Sequence, residues 1–194
     1  MGLTGAQAAE RVLHGAGIYD VRIERVAGNL TDHYDPRNKV LRLSDATYGQ
    51  CSVAAVGVAA HECGHAIQHA RGYAPLQFRS ALVPVANFGS MIAWPLIVLG
   101  LFINSQSSAL LINIGILAFS LAVLFQLVTL PVEYNASGRA VRILAETGMM
   151  QGEEIVATKK VLNAAALTYV ASAAAAILQL VRILILTGGR RRDD

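Results

Sequence analysis

Charge is scarce in this chain. Only 15% of its 194 residues are Asp, Glu, Lys or Arg, while 54% are hydrophobic, against roughly 25% charged in an average soluble domain. The scarcity is also uneven. Residues 83–103 and 109–130 carry no charge at all, which excludes a helix bathed in water and fits a hydrocarbon core that takes roughly 20 helical residues to cross. A third apolar run, 164–186, is broken only by Arg182 near its end, where a long side chain can snorkel to the interface.

Other absences narrow the reading further. With two cysteines, Cys51 and Cys63, both in apolar surroundings, there is no disulfide framework and no argument for an oxidising compartment. Residues 1–30 lack the positive start and apolar stretch of a signal peptide. The net charge of +3 comes from scattered basic residues without an aromatic-plus-basic stripe, so nucleic acid is not an expected partner. No internal repeat or low-complexity linker is present, and the terminal "GGRRRDD" reads as a solvated end.

The remaining sequence divides into four parts. Residues 1–80 read as a small α+β cap. Thr4 and Gln7 have capping-box spacing, "YDVRIERV" alternates as a strand does, and Asp-Pro-Arg-Asn is a turn signal ahead of a strand over 39–43. Ser44 and Asp45 are placed to cap the next helical turn. From Ser52 the chain turns helical, with Gly72 as its stop. Residues 81–131 form a transmembrane hairpin. Residues 132–163 form a helix and connector, with Pro131 suited to a helix start and Thr147-Gly148 to its end; 151–163 is an amphipathic lead-in. Residues 164–194 hold the third crossing and a basic tail. The expected fold is therefore a mainly α integral membrane protein with about three transmembrane helices and a small α+β cap.

Within the cap, "VGVAAHECGHAIQHA" places three of the five histidines within nine residues, inside a run of small apolar side chains. His61-Glu62-Cys63-Gly64-His65 is an H-E-x-x-H pattern. On a helix, positions i and i+4 lie about 40° apart around the axis, so both imidazoles leave one face, as two nitrogen ligands of one tetrahedral Zn²⁺ must. Glu62, one step round, can face a water on the metal and take its proton. Buried without partners, two imidazoles and a carboxylate would cost several kcal/mol; a metal supplies the partner. His69 lies a full turn beyond His65, unfavourably far from such a metal, and reads as a helix-end histidine.

A catalytic zinc needs a third protein ligand and an open position. Glu133 follows the second apolar run directly, and two crossings return the chain to the side of the histidines. The competing reading makes it a helix-start carboxylate stabilised by the dipole. Glu146, Glu153 and Glu154 stand in charge-mixed, solvated sequence. Cys63, two residues after His61, points away from the metal face, which disfavours a closed structural site and with it the alternative of a non-catalytic zinc-stabilised membrane scaffold or adaptor.

Taken together, "GVAAHECGHAIQHARGYAPL", "LVPVANFGSMIAWPLIVLG" and "FQLVTLPVEYNASGRA", extended by "LTDHYDPRNKVLRLS" and "KKVLNAAALTYVA", resemble the YugP-type family of integral-membrane neutral zinc metallopeptidases. That family is similar in plan to membrane gluzincins of the CAAX-prenyl-protease and HtpX type. The resemblance implies a zincin-like catalytic helix, one Zn²⁺ held by His61, His65 and Glu133, Glu62 as general base, and hydrolysis of peptide or membrane-protein substrates. It also implies a strand beside the catalytic helix that aligns the peptide, here 39–43, and a further apolar segment ahead of residue 1. Related gluzincins place an Asp one turn after the glutamate ligand; here that position is Ser137, with Asn135 nearby, and either is a candidate partner for a histidine ligand. His33, Tyr34 and Arg139 are candidate oxyanion donors. The loop 104–108 is uncharged while Arg139, Arg142, Lys159 and Lys160 lie on the cap side, so the positive-inside rule puts the cap in the cytoplasm, against the vote of Arg190–Arg192.

Overall fold

Helix dominates the computed structural model, which describes residues 2–103 and 107–188. The tail at 190–192 and most of the 104–108 loop, both used in the orientation argument, lie outside the described residues. The first helix, α1 (Gly5–Gly15), opens with the expected capping box: Thr4 Oγ1 accepts from the Gln7 amide and Gln7 Oε1 accepts from the Thr4 amide. Its buried Ala8, Ala9, Val12 and Leu13 form one face, set against the later helix α3.

Three short strands follow, β1 (Arg22–Val26), β2 (His33–Asp35) and β3 (Val40–Ser44), in spatial order β1-β3-β2. β1 runs parallel to β3, with Arg22 opposite Val40, and β2 antiparallel, with Tyr34 opposite Leu41. β3 is thus the central strand. Its Val40, Leu41 and Leu43 are fully buried, as a strand covered on both faces requires. The strand begins at Val40, one residue later than expected, because Lys39 closes the preceding turn with φ +49°. Asp35 organises that turn by accepting from the Arg37 and Asn38 amides and from Asn38 Nδ2. The central position also corrects the assignment of 39–43 as a peptide-aligning strand. Both its edges are already paired, so among the described residues the free edges belong to β1 and β2.

Ser44 does not cap with its side chain the short helix α2 (Asp45–Tyr48). Its hydroxyl donates to Asp32 Oδ2 and its amide to Asp32 Oδ1, both at 2.8 Å. In α3 (Val53–Ala70), Ser52 caps the N-terminus through the Ala55 amide, and Gly72, at φ +60°, follows the C-cap Arg71.

The remaining helices are α4 (Ala74–Phe102), α5 (Ser108–Glu146) and α6 (Glu153–Gly188), all long and apolar enough to cross a membrane. Pro131 does not start a helix, contrary to its sequence reading. It lies inside the 39-residue α5, where loss of one backbone hydrogen bond is tolerated at the end of an apolar segment. α5 stops before Gly148, at φ +67°, and the amphipathic lead-in is the continuous first part of α6.

Contacts group the chain into two compact units, Met1–Leu76 with Val132–Leu167, and Gln77–Pro131 with Thr168–Asp194. The first has a conventional core, in which Leu13, Leu41, Leu43, Val56, Ile67, Leu144 and Met150 are buried. In the second, α4 and α5 meet through small residues while Phe88, Met91, Trp94, Leu117 and Leu178 point outward, exposed. Such a surface suits lipid.

Candidate metal centre

The small residues of α3 allow a neighbouring backbone to come close. A Cβ added to Gly64 would lie 2.6 Å from the carbonyl oxygen of Ala136 and 3.0 Å from its Cα, so only glycine fits where α3 meets α5. The polar groups stand within about one turn of that contact. His61 Nε2 lies 3.3 Å from Glu133 Oε2, and His65 Nε2 lies 3.5 Å from the same oxygen. The three ligand atoms are all within 4.8 Å of one another. All three residues belong to the first unit.

Hydrogen bonds on the far side of each ring fix its orientation. Gln68 is fully buried, and its amide nitrogen donates to the Val132 carbonyl at 2.9 Å and to Asn135 Oδ1 at 3.0 Å. Its oxygen therefore accepts from His65 Nδ1, at 3.0 Å. With the proton held on Nδ1, the Nε2 lone pair of His65 is left for a metal. His61 Nδ1 meets the hydroxyl of buried Ser137 at 3.1 Å. Asn135 also accepts from Arg139 Nε at 2.7 Å, and that guanidinium lies over the Tyr73 ring.

This donor set fits zinc. Two ligands about 2.0–2.1 Å from a tetrahedral ion stand about 3.3–3.4 Å apart, close to the 3.3 and 3.5 Å found between each imidazole nitrogen and the glutamate oxygen. The field at the site also favours added positive charge. Burial by itself lowers the pKa of His65, but its hydrogen bond to Glu133 and the charges of Glu62 and Glu133 outweigh that and raise it. The carboxylate charge that favours a proton there also favours a bound cation.

The other sequence candidates take distinct places. Glu62 is half-buried and makes no side-chain hydrogen bond or ion pair with another described residue. Cys63 faces the opposite way, its buried thiol 3.5 Å from the Ala9 carbonyl, with burial and then Glu62 pushing its pKa up. His69 stands outside the trio, with Nδ1 2.9 Å from the Tyr34 hydroxyl. Burial, then Asp20 and Asp35, push Tyr34 up to about 12, so it remains a phenol. His33 meets the Thr31 carbonyl and Arg42, and Arg139 is committed to Asn135. Sequence reasoning left Gln68 and Gly64 without a role. A glutamine three residues after His65 and seven after His61, on the face that carries the histidines, was the available signal for the first.

The chain is 47% identical over 190 residues to the "Putative membrane protease YugP" of Bacillus subtilis (strain 168), a match covering 97% of this chain and 83% of that protein. No solved structure matches it. One family, described as "Putative neutral zinc metallopeptidase", matches across residues 1–188, and the chain belongs to that family.

Proposed function

We propose that the chain is a membrane-embedded, gluzincin-type endopeptidase that hydrolyses peptide bonds with one zinc ion. The observation that carries this reading is a three-ligand trio with an uncommitted carboxylate beside it: His61, His65 and Glu133 leave a tetrahedral ion one position short of closure, and Glu62 makes no side-chain hydrogen bond or ion pair among the described residues. Zinc held there supplies Lewis acidity and lowers the pKa of water. His61, His65 and Glu133 bind the ion, while Ser137 and Gln68 hold the two rings in register. Glu62 takes the proton from the attacking water and passes it to the leaving amine. A peptide or membrane-protein substrate is aligned by the free edge of β2, the edge strand that carries Tyr34, His69's partner. The catalytic cap faces the cytoplasm.

The alternative of a zinc-stabilised scaffold is disfavoured by Cys63, the nearest candidate for a fourth ligand, which is turned toward α1. Glu62→Gln is the direct test, read in detergent by metal analysis together with hydrolysis of an unstructured protein. Zinc content should match that of the unaltered protein while turnover falls by about 10²–10⁴-fold; unchanged turnover would sink the assignment. Glu133→Ala should lose zinc as well. For orientation, exposed Cys51 should react with a membrane-impermeant thiol reagent only after the cells are permeabilised.

A further inference from the structure

The cap half of α5 has a second face, turned toward α6. Tyr134, Val141 and Arg142 on α5, with Ile155, Lys159 and Leu162 on α6, line an open cavity of about 490 Å³ whose residues all belong to the first unit. Its walls are mostly apolar, no carboxylate lines it, and its two charges are the cations Arg142 and Lys159. Neither cation makes an ion pair or side-chain hydrogen bond with another described residue. The cavity also stays open beside Gly138, where an added Cβ would meet nothing within 4 Å.

The lining thus combines two cations with apolar walls and no counter-charge of its own. An anion with a hydrocarbon chain satisfies both conditions. A soluble anion has no use for the apolar walls, and a zwitterionic lipid brings no net charge to offset the cations. The supply is local as well. Asn163, on the cavity lining, directly precedes the apolar run 164–186, and Lys159 lies about 6 Å before it along α6, at the depth of a headgroup layer. Basic pockets between membrane helices bind anionic headgroups for this reason.

We infer that this cavity is a site for an anionic phospholipid, with the phosphate between Arg142 and Lys159 and an acyl chain along Val141, Ile155 and Leu162. Ser137, which holds His61, forms part of the same wall, so the lipid lies one side chain from the metal centre. The site stands on cavity and charge alone, independently of any peptidase activity.

The test is native mass spectrometry of the full chain in a neutral detergent, titrated separately with dioctanoyl phosphatidylglycerol, dioctanoyl phosphatidylcholine and inorganic phosphate. The phosphatidylglycerol should bind saturably with one high-affinity adduct, and the other two at least tenfold more weakly. Lys159→Ala should weaken phosphatidylglycerol binding by about fivefold, whereas Lys160→Ala, an equal change of charge one residue away and outside the lining, should leave it unchanged. Gly138→Leu fills the cavity with both cations in place and should lower affinity at least tenfold, with circular dichroism confirming native helix content. Equal binding of the two lipids, equal effects of the two lysine variants, or full affinity in Gly138→Leu would each overturn the site. Phosphate binding as tightly as the lipid would overturn it too, in favour of a soluble anion.

Discussion

Two glycines in this chain perform the same backbone task in different surroundings. Gly64 of α3 meets Ala136 in the first unit, and Gly89 of α4 meets Ala118 in the second; an added Cβ would fall 2.6 Å and 2.7 Å from the respective carbonyl oxygens. Around the first contact lie buried Gln68, Glu133 and Ser137. Around the second, the helices turn Phe88, Met91, Trp94 and Leu117 outward. Close approach alone therefore does not make a site. In the second unit it joins apolar helices, as small residues do in lipid. In the first it carries two imidazoles and a carboxylate to ligand distance, and the same elements supply the hydrogen bonds that make burying them affordable.

The largest expected effect breaks the contact itself. Gly→Ala in an open helix normally stabilises, by up to about 1 kcal/mol, and Gly138→Ala should behave that way. Gly64→Ala should instead destabilise the first unit by about 1–3 kcal/mol, because the obstacle is backbone and cannot rotate aside. It should also abolish stoichiometric zinc binding, by moving α3 away from Glu133. Gly89→Ala should destabilise by a similar amount yet leave zinc bound one per folded molecule. Thermal unfolding in detergent with metal analysis of the folded fraction separates the two; zinc loss in both variants would erase the distinction.

A smaller effect sharpens the polar half of the comparison. Gln68→Leu keeps the bulk of the side chain and removes the acceptor that fixes His65. Zinc affinity should fall by about 10–100-fold, as is usual when a ligand loses its supporting hydrogen bond, with little change in helix content. Ser137→Ala should have the same consequence through His61. Competition with a chromophoric chelator measures both.

The sequence discloses the parts of this arrangement that are local and hides the parts that depend on neighbours. His61 and His65 are legible because both lie on one helix at a spacing that fixes their common face. Glu133 is legible by counting crossings and by the family resemblance that "FQLVTLPVEYNASGRA" carries, since no local spacing marks it as inward-facing. Gln68 and Gly64 stand inside the most conspicuous segment of the chain, yet their roles require knowing that α5 lies against that face. Ser137 and Asn135 look interchangeable as candidates, and the structure gives them different work: one meets His61 directly, the other reaches His65 through Gln68. Strand order is the plainest case. Residues 39–43 read as a strand, but whether its edges are free depends on where β1 returns, a pairing between distant segments that alternation cannot reveal. Pro131 misleads for the opposite reason, because a local helix-start preference is overridden by the surrounding apolar helix.

Acid should distinguish the units most gently. Residues 77–131 and 168–188 contain no Asp or Glu, whereas the cap of the first unit is tied by carboxylates. Asn38 and the backbone of its turn, with Arg42, hold Asp35 well below the usual carboxylate range. Arg25 and the Gly28 amide lower Asp45, and Lys39 lowers Asp20. A depressed folded-state pKa contributes stability that is complete above the unfolded value, near pH 4, and is lost as the pH falls toward the folded one. Chelator-treated protein, in which no metal can be released by acid, should therefore lose stability gradually below about pH 4. The loss should fall on the cap: near-ultraviolet circular dichroism from its tyrosines should fade while the far-ultraviolet helical signal, which the long apolar helices dominate, persists. Asp35→Asn should lower stability at neutral pH and flatten the acid slope. A slope unchanged in that variant would mean that the carboxylates of the sheet contribute nothing to the difference between the units.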